Sequence, residues 1–426
     1  MANLTMMPHR SLGMTMPDAL IIDACRTPRG IGKVGKGALA HMHPQQLGAA
    51  VLKAIAARNH LDTKEIDDVI WGTSTQVDKQ GADLGRMAAL DAGYDIVSSG
   101  VTLDRFCGSG ITAVSMATAA VMSGMEDLIV AGGTEMMSYT ANLPHLGARF
   151  MDRGNEHLRA LHPQSHQGVC ADAIATLEGI SRADVDALAL ASQQRASHAM
   201  AGGFFDRSLI PVLNIDGSTA LTQEQFPRPQ TTAEGLAALK PSFAGVADFA
   251  LDESGTTYRS LIQRKYQGLQ IQHIHHAGNS SGVVDGAAAV LIASPAYARK
   301  RGLKARARVL AYANMGDSPT LMLNAPVPAA RKVLQRAGLK TLDIDLWEIN
   351  EAFAVVAEKF IRDLKLDRDK VNVNGGAIAL GHPIGATGSI LIGTMLDELE
   401  RRDLKRGLVT MCAAGGMAPA IIIERI

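Results

Sequence analysis

Apolar residues along this chain fall into two alternating rhythms, short continuous runs and longer stretches at helical spacing. This predicts strands alternating with helices and a mostly parallel sheet. Ala19–Ala24 reads as a strand, Gln46–Arg58 as an amphipathic helix, Ile66–Trp71 as a strand and Leu84–Ala92 as a helix. Gly100–Leu103 then leads to Cys107, and Ile111–Met122 is small or apolar on nearly every side, the pattern of a helix buried all round. Asp127–Ala131 follows as a strand ending in Gly132-Gly133.

The last third replays this order. Ala307–Ala311 is a strand, Pro328–Ala337 a helix, Ile344–Ile349 a strand and Ala352–Leu364 a helix. Val371–Val373, a glycine-interrupted segment from Gly375 to Gly388, a helix over Ser389–Leu399 and a hairpin of Gly407–Cys412 with Ala420–Glu424 complete it. The repetition predicts two similar α/β halves. Between them, from Ser138 to Gly282, only Ala171–Leu177 and Arg182–Ala199 are clear helices. That stretch reads as an inserted, substrate-facing region, with a solvated accessory domain as the alternative.

Composition narrows the class. A chain of 426 residues, 47% hydrophobic and only 4% aromatic, can bury a large core of small side chains. Lys plus Arg and Asp plus Glu both total 42, so charge gives no case for nucleic acid or an anionic membrane. No uninterrupted apolar run reaches membrane-spanning length, and no transmembrane segment is expected. Cys25, Cys107, Cys170 and Cys412 are too few and scattered for a disulfide framework and form no CxxC metal spacing, which points to free thiols in a reducing, cytoplasmic setting. Residues 1–18 read as a disordered leader, with organellar targeting as the other reading.

Two cysteines share one kind of setting. Cys107 lies in Asp104-Arg105-Phe106-Cys107-Gly108-Ser109-Gly110 and Cys412 in Met411-Cys412-Ala413-Ala414-Gly415-Gly416. Each ends an apolar stretch and opens onto glycines, which presents a nucleophile at a turn where backbone N–H groups can approach a reacting carbonyl. At the start of a helix the dipole is expected to favour the Cys107 thiolate, and Cys107 to be the most reactive thiol; an inert buried cysteine is the plainer alternative. His382, in Gly381-His382-Pro383, can hold the thiol's proton and return it. Cys412 raises a sharper question, because plain acyl transfer needs one thiol. A second within reach can take a proton from carbon, and so make or break a carbon–carbon bond. Asn350 ends a strand, where its amide can serve an oxyanion or simply cap the next helix.

Cys107-Gly108-Ser109-Gly110, Asn350-Glu351-Ala352-Phe353-Ala354, Gly375 to Pro383 and the terminal Cys412 with its glycines, in that order, resemble the thiolase family. The resemblance covers nearly the whole chain after residue 18. It implies a five-layered αβαβα fold of two like halves, divided as 19–137 with 247–293, 138–246 for an inserted loop domain, and 294–426. It also implies reversible thiolysis of 3-oxoacyl-CoA, with coenzyme A and acyl-CoA as substrates, no metal or redox cofactor, and a homodimer or homotetramer.

By the same resemblance Asn350, through water, and His382 form one oxyanion hole, and the N–H groups of Cys107 and Ala414 the other. The family usually has glycine at Ala414 and again at Ala418. Arg228 matches an arginine beside the nucleotide of CoA, Ser281 a serine on the pantetheine and His166 a histidine near the thioester, although Gln167 follows where methionine is usual. A carrier-protein condensing enzyme would need a second histidine where Cys412 stands, and a non-catalytic CoA or lipid binder has no use for a second thiol.

Two further expectations concern neighbouring segments. Gly30-Ile31-Gly32-Lys33-Val34-Gly35 matches GxGxxG, but no helix opens after it, so Arg29, Lys33 and Lys36 read as a solvated basic loop and not a dinucleotide site. Residues 246–272 carry an apolar face, Tyr258, Ile262, Tyr266 and Leu269, able either to cover an acyl tail or to pack on their own domain or on a neighbouring subunit.

Overall fold

The computed structural model describes residues 17–143 and 150–426. The expected leader therefore lies, up to residue 16, outside the described residues. Twelve strands are formed: β1 (Leu20–Arg26), β2 (Gly30–Ile31), β3 (Asp68–Gly72), β4 (Val101–Leu103), β5 (Leu128–Met136), β6 (Val212–Leu213), β7 (Thr219–Leu221), β8 (Val284–Ala293), β9 (Ala307–Gly316), β10 (Leu346–Ile349), β11 (Arg406–Thr410) and β12 (Met417–Arg425).

The repeat seen in the sequence reappears strand for strand. One run has the order β4-β3-β5-β8-β1, and the other, β10-β11-β12-β9, is extended beyond β10 by a parallel bridge from Trp347 to Val371. In each run the outer pairings are parallel and the last two antiparallel. The two runs meet where β1 pairs with β9, Leu20 opposite Arg308 and Ile21 opposite Ala307.

The expectation of a mostly parallel sheet is therefore corrected. Only β3/β4, β3/β5 and β10/β11 are parallel among the named strands. Alternation of strand and helix signals a layered fold; the antiparallel pairs come from the expected β11/β12 hairpin, from β9 beside β12, and from β8, at whose residues no strand was expected.

Five layers result, as expected. Helices Pro44–Arg58 and Leu84–Asp91 cover one outer face, with Leu47, Val51 and Leu84 packed against Trp71 and Leu128. Helices Pro326–Ala337 and Ala354–Leu364 cover the other, through Val333, Val355 and Phe360. Between the sheets lie Ser109–Ser123 and Ile384–Arg401, whose Ile111, Val114, Ile392 and Leu396 are fully or almost fully buried. Each such side chain contributes about 1.5–3 kcal/mol. Phe106–Ser123 is apolar enough to match a membrane-spanning helix by length and composition, yet most of it is buried in this central layer. The all-round burial expected of Ile111–Met122 is broken by exposed Met116 and by partly buried Ala119, Ala120 and Met122.

The region between the halves packs mainly on the second outer face. Helices Gln167–Glu178 and Arg182–Ala201 share a cluster with Val333 and Phe360. Ala247, Ile262 and Ile271 are buried in the same cluster, with Tyr258, Tyr266 and Leu269 half-buried against it. The apolar face of residues 246–272 is thus used for packing against the inserted region and the second outer face.

Candidate active site

Two glycines decide where the site forms. A Cβ on Gly110 would lie 2.7 Å from the Ser389 nitrogen, and one on Gly388 only 2.2 Å from the Ile111 nitrogen. The two central helices therefore touch backbone to backbone near their first turns, an approach no larger residue permits. Cys107 immediately precedes one helix and His382 the other.

The Cys107 turn is built around a strained residue. Phe106 has φ 49, a left-handed conformation costing about 1–2 kcal/mol outside glycine. Local bonds hold it: the Asp104 carboxylate accepts from the Phe106 N–H at 2.6 Å, and the Ser109 hydroxyl donates to the Phe106 carbonyl at 2.6 Å while accepting from the Arg105 N–H at 2.8 Å. On the far side a Cβ on Gly108 would meet Pro419 of β12 at 2.8 Å. The turn thus abuts the second half beside the hairpin that carries Cys412.

Cys412 lies just past β11 in a loop closed by reciprocal Ala413–Met417 backbone bonds and by Gly415 and Gly416 at φ 76 and 77. Ala414 itself is outside the left-handed region, so its N–H keeps a geometry open to any L-residue. Ala418 is buried in β12 opposite Met315. Burial and the neighbouring Cys107 both push the Cys412 thiol above its ordinary range. Burial, with Glu135 and Asp104 adding to it, likewise pushes Cys107 up to about 12. This reverses the expectation of a helix-favoured thiolate: the desolvation of a thiol wedged between two sheets outweighs the dipole. Cys25 and Cys170 are also pushed up to about 12, so accessibility is what separates the thiols; Cys107 alone among the four is half-exposed.

His382 is held in one tautomer. Its Nδ1 is 2.6 Å from the Thr387 hydroxyl, which donates its own proton to the Pro383 carbonyl at 2.9 Å and must therefore accept from Nδ1–H. Nε2 is left as an acceptor, its lone pair taking a long bond from the Asn350 amide NH2 at 3.5 Å. Asn350 caps no helix with this side chain, and its Oδ1 is buried without a protein partner. Burial and then the positive charge of Arg29 lower the His382 pKa to about 3. The resting pair is a neutral thiol and a neutral imidazole.

Neutral burial of His382 makes a stability prediction. Its folded value lies below the ordinary 6.5, so the unfolded chain takes up the proton first, and the stability His382 contributes is lost as pH falls from about 6.5 towards about 3. Urea midpoints of the wild type and His382→Gln across that window should diverge, the wild type losing more. Parallel curves would refute this.

Arg29 corrects the reading of its loop. Lys33 and Lys36 are exposed, in a turn after β2, but Arg29 is buried, its N–H donating to Glu224 at 2.7 Å and its guanidinium 4.0 Å from the same carboxylate. A charge needed inside against Glu224 is indistinguishable by sequence from its solvated neighbours. Thr387 and Arg29 are the parts of the His382 environment that sequence reasoning missed. Thr387 had one signal, a hydroxyl one turn into the helix after His382.

The CoA-side residues separate into two groups. The Ser281 N–H donates to Ala352 at 3.0 Å, the Gly282 N–H to Ala377 at 3.0 Å, and the His382 N–H to the Gly282 carbonyl at 2.9 Å, so Ser281 joins the loop cluster of Asn350 and His382. Arg228 stands farther out, lining a cavity of about 220 Å³ with Phe226, Ala277, Gly278 and Ile378. Phe226 connects the two, since a Cβ on Gly282 would touch its ring at 2.2 Å. His166 caps the helix Gln167–Glu178, its Nδ1 accepting from the Gly168 N–H at 3.1 Å. Its ring lies 5.7 Å from Phe243, which lies 5.8 Å from Phe353 of the Asn350 loop, and 5.5 Å from Tyr258. Among the described residues no cluster of His, Cys, Asp or Glu could hold a metal ion.

Two joined α/β halves that bring a cysteine and a histidine together at paired helix starts, beside a second thiol, define a class of acyl-transfer enzymes. The thiolase N-terminal domain matches residues 19–248 and the thiolase C-terminal domain residues 303–425. An acetyl-CoA acetyltransferase of Cupriavidus necator is 37% identical over 96% of this chain and all of its own length. A 3-ketoacyl-CoA thiolase of Serratia proteamaculans and a beta-ketoadipyl-CoA thiolase of Pseudomonas putida are each 38% identical over the same share of this chain and all of theirs. The crystal structure of the Bacillus anthracis acetyl-CoA acetyltransferase superposes with a TM-score of 0.81 at 32% identity, covering 96% of this chain and 99% of that one. The chain belongs to the thiolase family, and it is an acyltransferase acting on acyl-CoA thioesters.

Proposed function

We propose that this thiolase works through an acyl-Cys107 intermediate, with His382 and Cys412 moving the protons. The observation that carries the reading is the meeting of the Cys107 turn with the Cys412 hairpin, where ionising one thiol opposes ionising the other. In the thiolytic direction the Cys107 proton passes to His382 Nε2, the unprotonated ring nitrogen, whose lone pair is engaged at rest only by a long bond from Asn350. The thiolate attacks C3 of a 3-oxoacyl-CoA, whose oxygen is received by donors of the oxyanion hole, the N–H groups of Cys107 and Ala414 or Asn350 and His382. The C2–C3 bond breaks, and the acetyl-CoA carbanion takes the Cys412 proton. A second CoA then gives its thiol proton to Cys412, attacks the acyl group, and releases Cys107, which recovers its proton from His382. Condensation is the same path reversed.

CoA enters along the wall formed by Arg228, Phe226 and Ser281, with the acyl group towards His166, Phe243 and Phe353. Relatives with three different substrate names stand at 37–38% identity, so overall likeness does not select the acyl group. We also take the division 19–137 with 247–293, 138–246 and 294–426 as the working domain map. It is supported for residues 284–293 by β8 pairing between β5 and β1, whereas Ala247, Ile262 and Ile271 pack with the inserted region and the C-terminal half. A homo-oligomer is supported by β4, which ends its sheet with Val101 exposed beside Ile96 and Val97.

The test is thiolysis by purified protein with CoA and 3-oxoacyl-CoAs from acetoacetyl-CoA to long, dicarboxylic and bulky acyl chains, following loss of the 3-oxoacyl chromophore. Activity on at least one member, with a shorter acyl-CoA as product, is expected. Simple hydrolysis without CoA consumption would refute the reading.

A further inference from the structure

One buried carboxylate that this reaction scheme leaves unused touches both halves of the molecule at the site. Glu135 lies near the end of β5 and is fully buried. Its Oε2 accepts from the N–H groups of Ser74 at 2.8 Å and Gly385 at 3.0 Å, and from the Thr73 hydroxyl at 3.4 Å. Its Oε1 accepts from the Gln80 amide at 2.8 Å. The orientation of Gln80 is fixed in turn, because its own oxygen accepts from the Met136 N–H at 2.8 Å. Backbone N–H groups and an amide NH2 can only donate, so this nest is built for an ionised carboxylate.

Gly385 is in the first turn of the central helix that follows His382. A Cβ on Gly133 would come within 2.1 Å of the Gly385 carbonyl, and one on Gly385 within 2.6 Å of the Gly72 carbonyl. The turn rests directly on the ends of β3 and β5, and Glu135 bonds it there. A neutral amide would not hold this contact as well, since it offers one oxygen to donors that converge on two and would set its NH2 against that of Gln80 or against the Ser74 and Gly385 N–H groups. Burial raises the Glu135 pKa, the bonds from Ser74, Gln80 and Gly385 oppose that rise, and the ionised form adds to the rise in the Cys107 pKa.

We propose that Glu135 is a positioning residue of the acyl-transfer site, fixing the turn that carries His382 against the sheet that leads to Cys107 and holding a negative charge against the thiol. The proposal rests on the roles given above to Cys107 and His382. Its consequence is that Cys107 stays protonated at rest and gives up its proton only to a correctly seated His382. The other titratable groups facing this pair are Asp104 in the turn of Cys107, Cys412 from the second half, and Arg29 behind His382.

The test uses the full chain with Glu135→Gln and Glu135→Asp, measured for thiolysis, for melting temperature, and for the pH midpoint of Cys107 alkylation by iodoacetamide read by peptide mass spectrometry. Aspartate keeps the charge but draws it back by one methylene from the Gly385 N–H. Both variants should lose about 10- to 100-fold in kcat, the scale expected of a misplaced catalytic group, with KM for acyl-CoA little changed. The alkylation midpoint should move to lower pH in the glutamine variant, which lacks the charge, and stay near the wild-type value in the aspartate variant.

A kcat within twofold of wild type in Glu135→Asp, or an unmoved midpoint in folded Glu135→Gln, would overturn the proposal. Should Glu135→Gln not fold, Glu135→Asp decides alone by its kcat and KM; failure of both to fold would assign the residue to folding and also overturn it. A wild-type protein without thiolysis would instead overturn the reading on which the proposal rests, so the two failures are told apart.

Discussion

Cys107→Ala should abolish both the covalent acyl-enzyme and turnover. Incubation of the wild type with acetyl-CoA should add one acetyl group, located on Cys107 by peptide mass spectrometry, and the variant should add none. Thiolysis should fall by at least about 10,000-fold, the scale on which enzymes lose rate when their nucleophile is removed. No other thiol can substitute. Cys25 and Cys170 are buried and engaged with carbonyls, Cys25 with Val51 at 3.4 Å and Cys170 with Thr320 at 3.3 Å. Because burial holds all of these thiols in the neutral form, limited alkylation should find Cys107 through its exposure, and acetyl-CoA should protect it. Preferential labelling of Cys25 or Cys170, or an acetylated Cys107→Ala protein, would remove the nucleophile from this account.

What the sequence disclosed and what it withheld follow from the range of each interaction. The apolar rhythm, the repeat and the glycine-flanked motifs are local, and they placed the central helix within two residues of Ser109–Ser123 and the strands within a few residues of theirs. The β11/β12 hairpin was legible from its short connection, but β8 was not, and its antiparallel place between β5 and β1 is set by pairing over long range. The setting of Cys107 shows the same divide. Its turn was legible from Phe106 to Gly110, but the state of its thiol depends on desolvation by two sheets meeting around it, which no local pattern records. Arg29 and Glu135 belong to the second kind. Each is an ordinary charged letter in sequence, and each acquires its role from a partner more than a hundred residues away, Glu224 and Gly385. Tyr258, Ile262, Tyr266 and Leu269 were correctly seen as an apolar face, and only packing could show that the face is occupied.

Cys412→Ala should separate the two halves of the chemistry. If Cys107 carries the acyl group and Cys412 moves a proton only at carbon and at the incoming CoA thiol, the variant should still take label from acetyl-CoA into a covalent adduct. Condensation and thiolysis should both fall by roughly 100- to 10,000-fold, the contribution of a positioned acid–base group. The substitution removes little volume from a loop otherwise held by the Ala413–Met417 bonds, so the fold should persist and the melting temperature should change little. Exchange of deuterium from solvent into the methyl group of acetyl-CoA gives an independent readout, since it needs the carbon acid–base step and no carbon–carbon bond. The variant should lose this exchange together with thiolysis while keeping the adduct. The direction of the Cys412 pKa supports the same division. A thiol pushed upwards by burial is a poor resting thiolate but a strong base once formed, and acylation of Cys107, by removing a competing negative charge, makes that thiolate easier to form. An alanine variant that retains near-normal thiolysis and exchange would make Cys412 structural, and the proton at carbon would then have to be moved by another group.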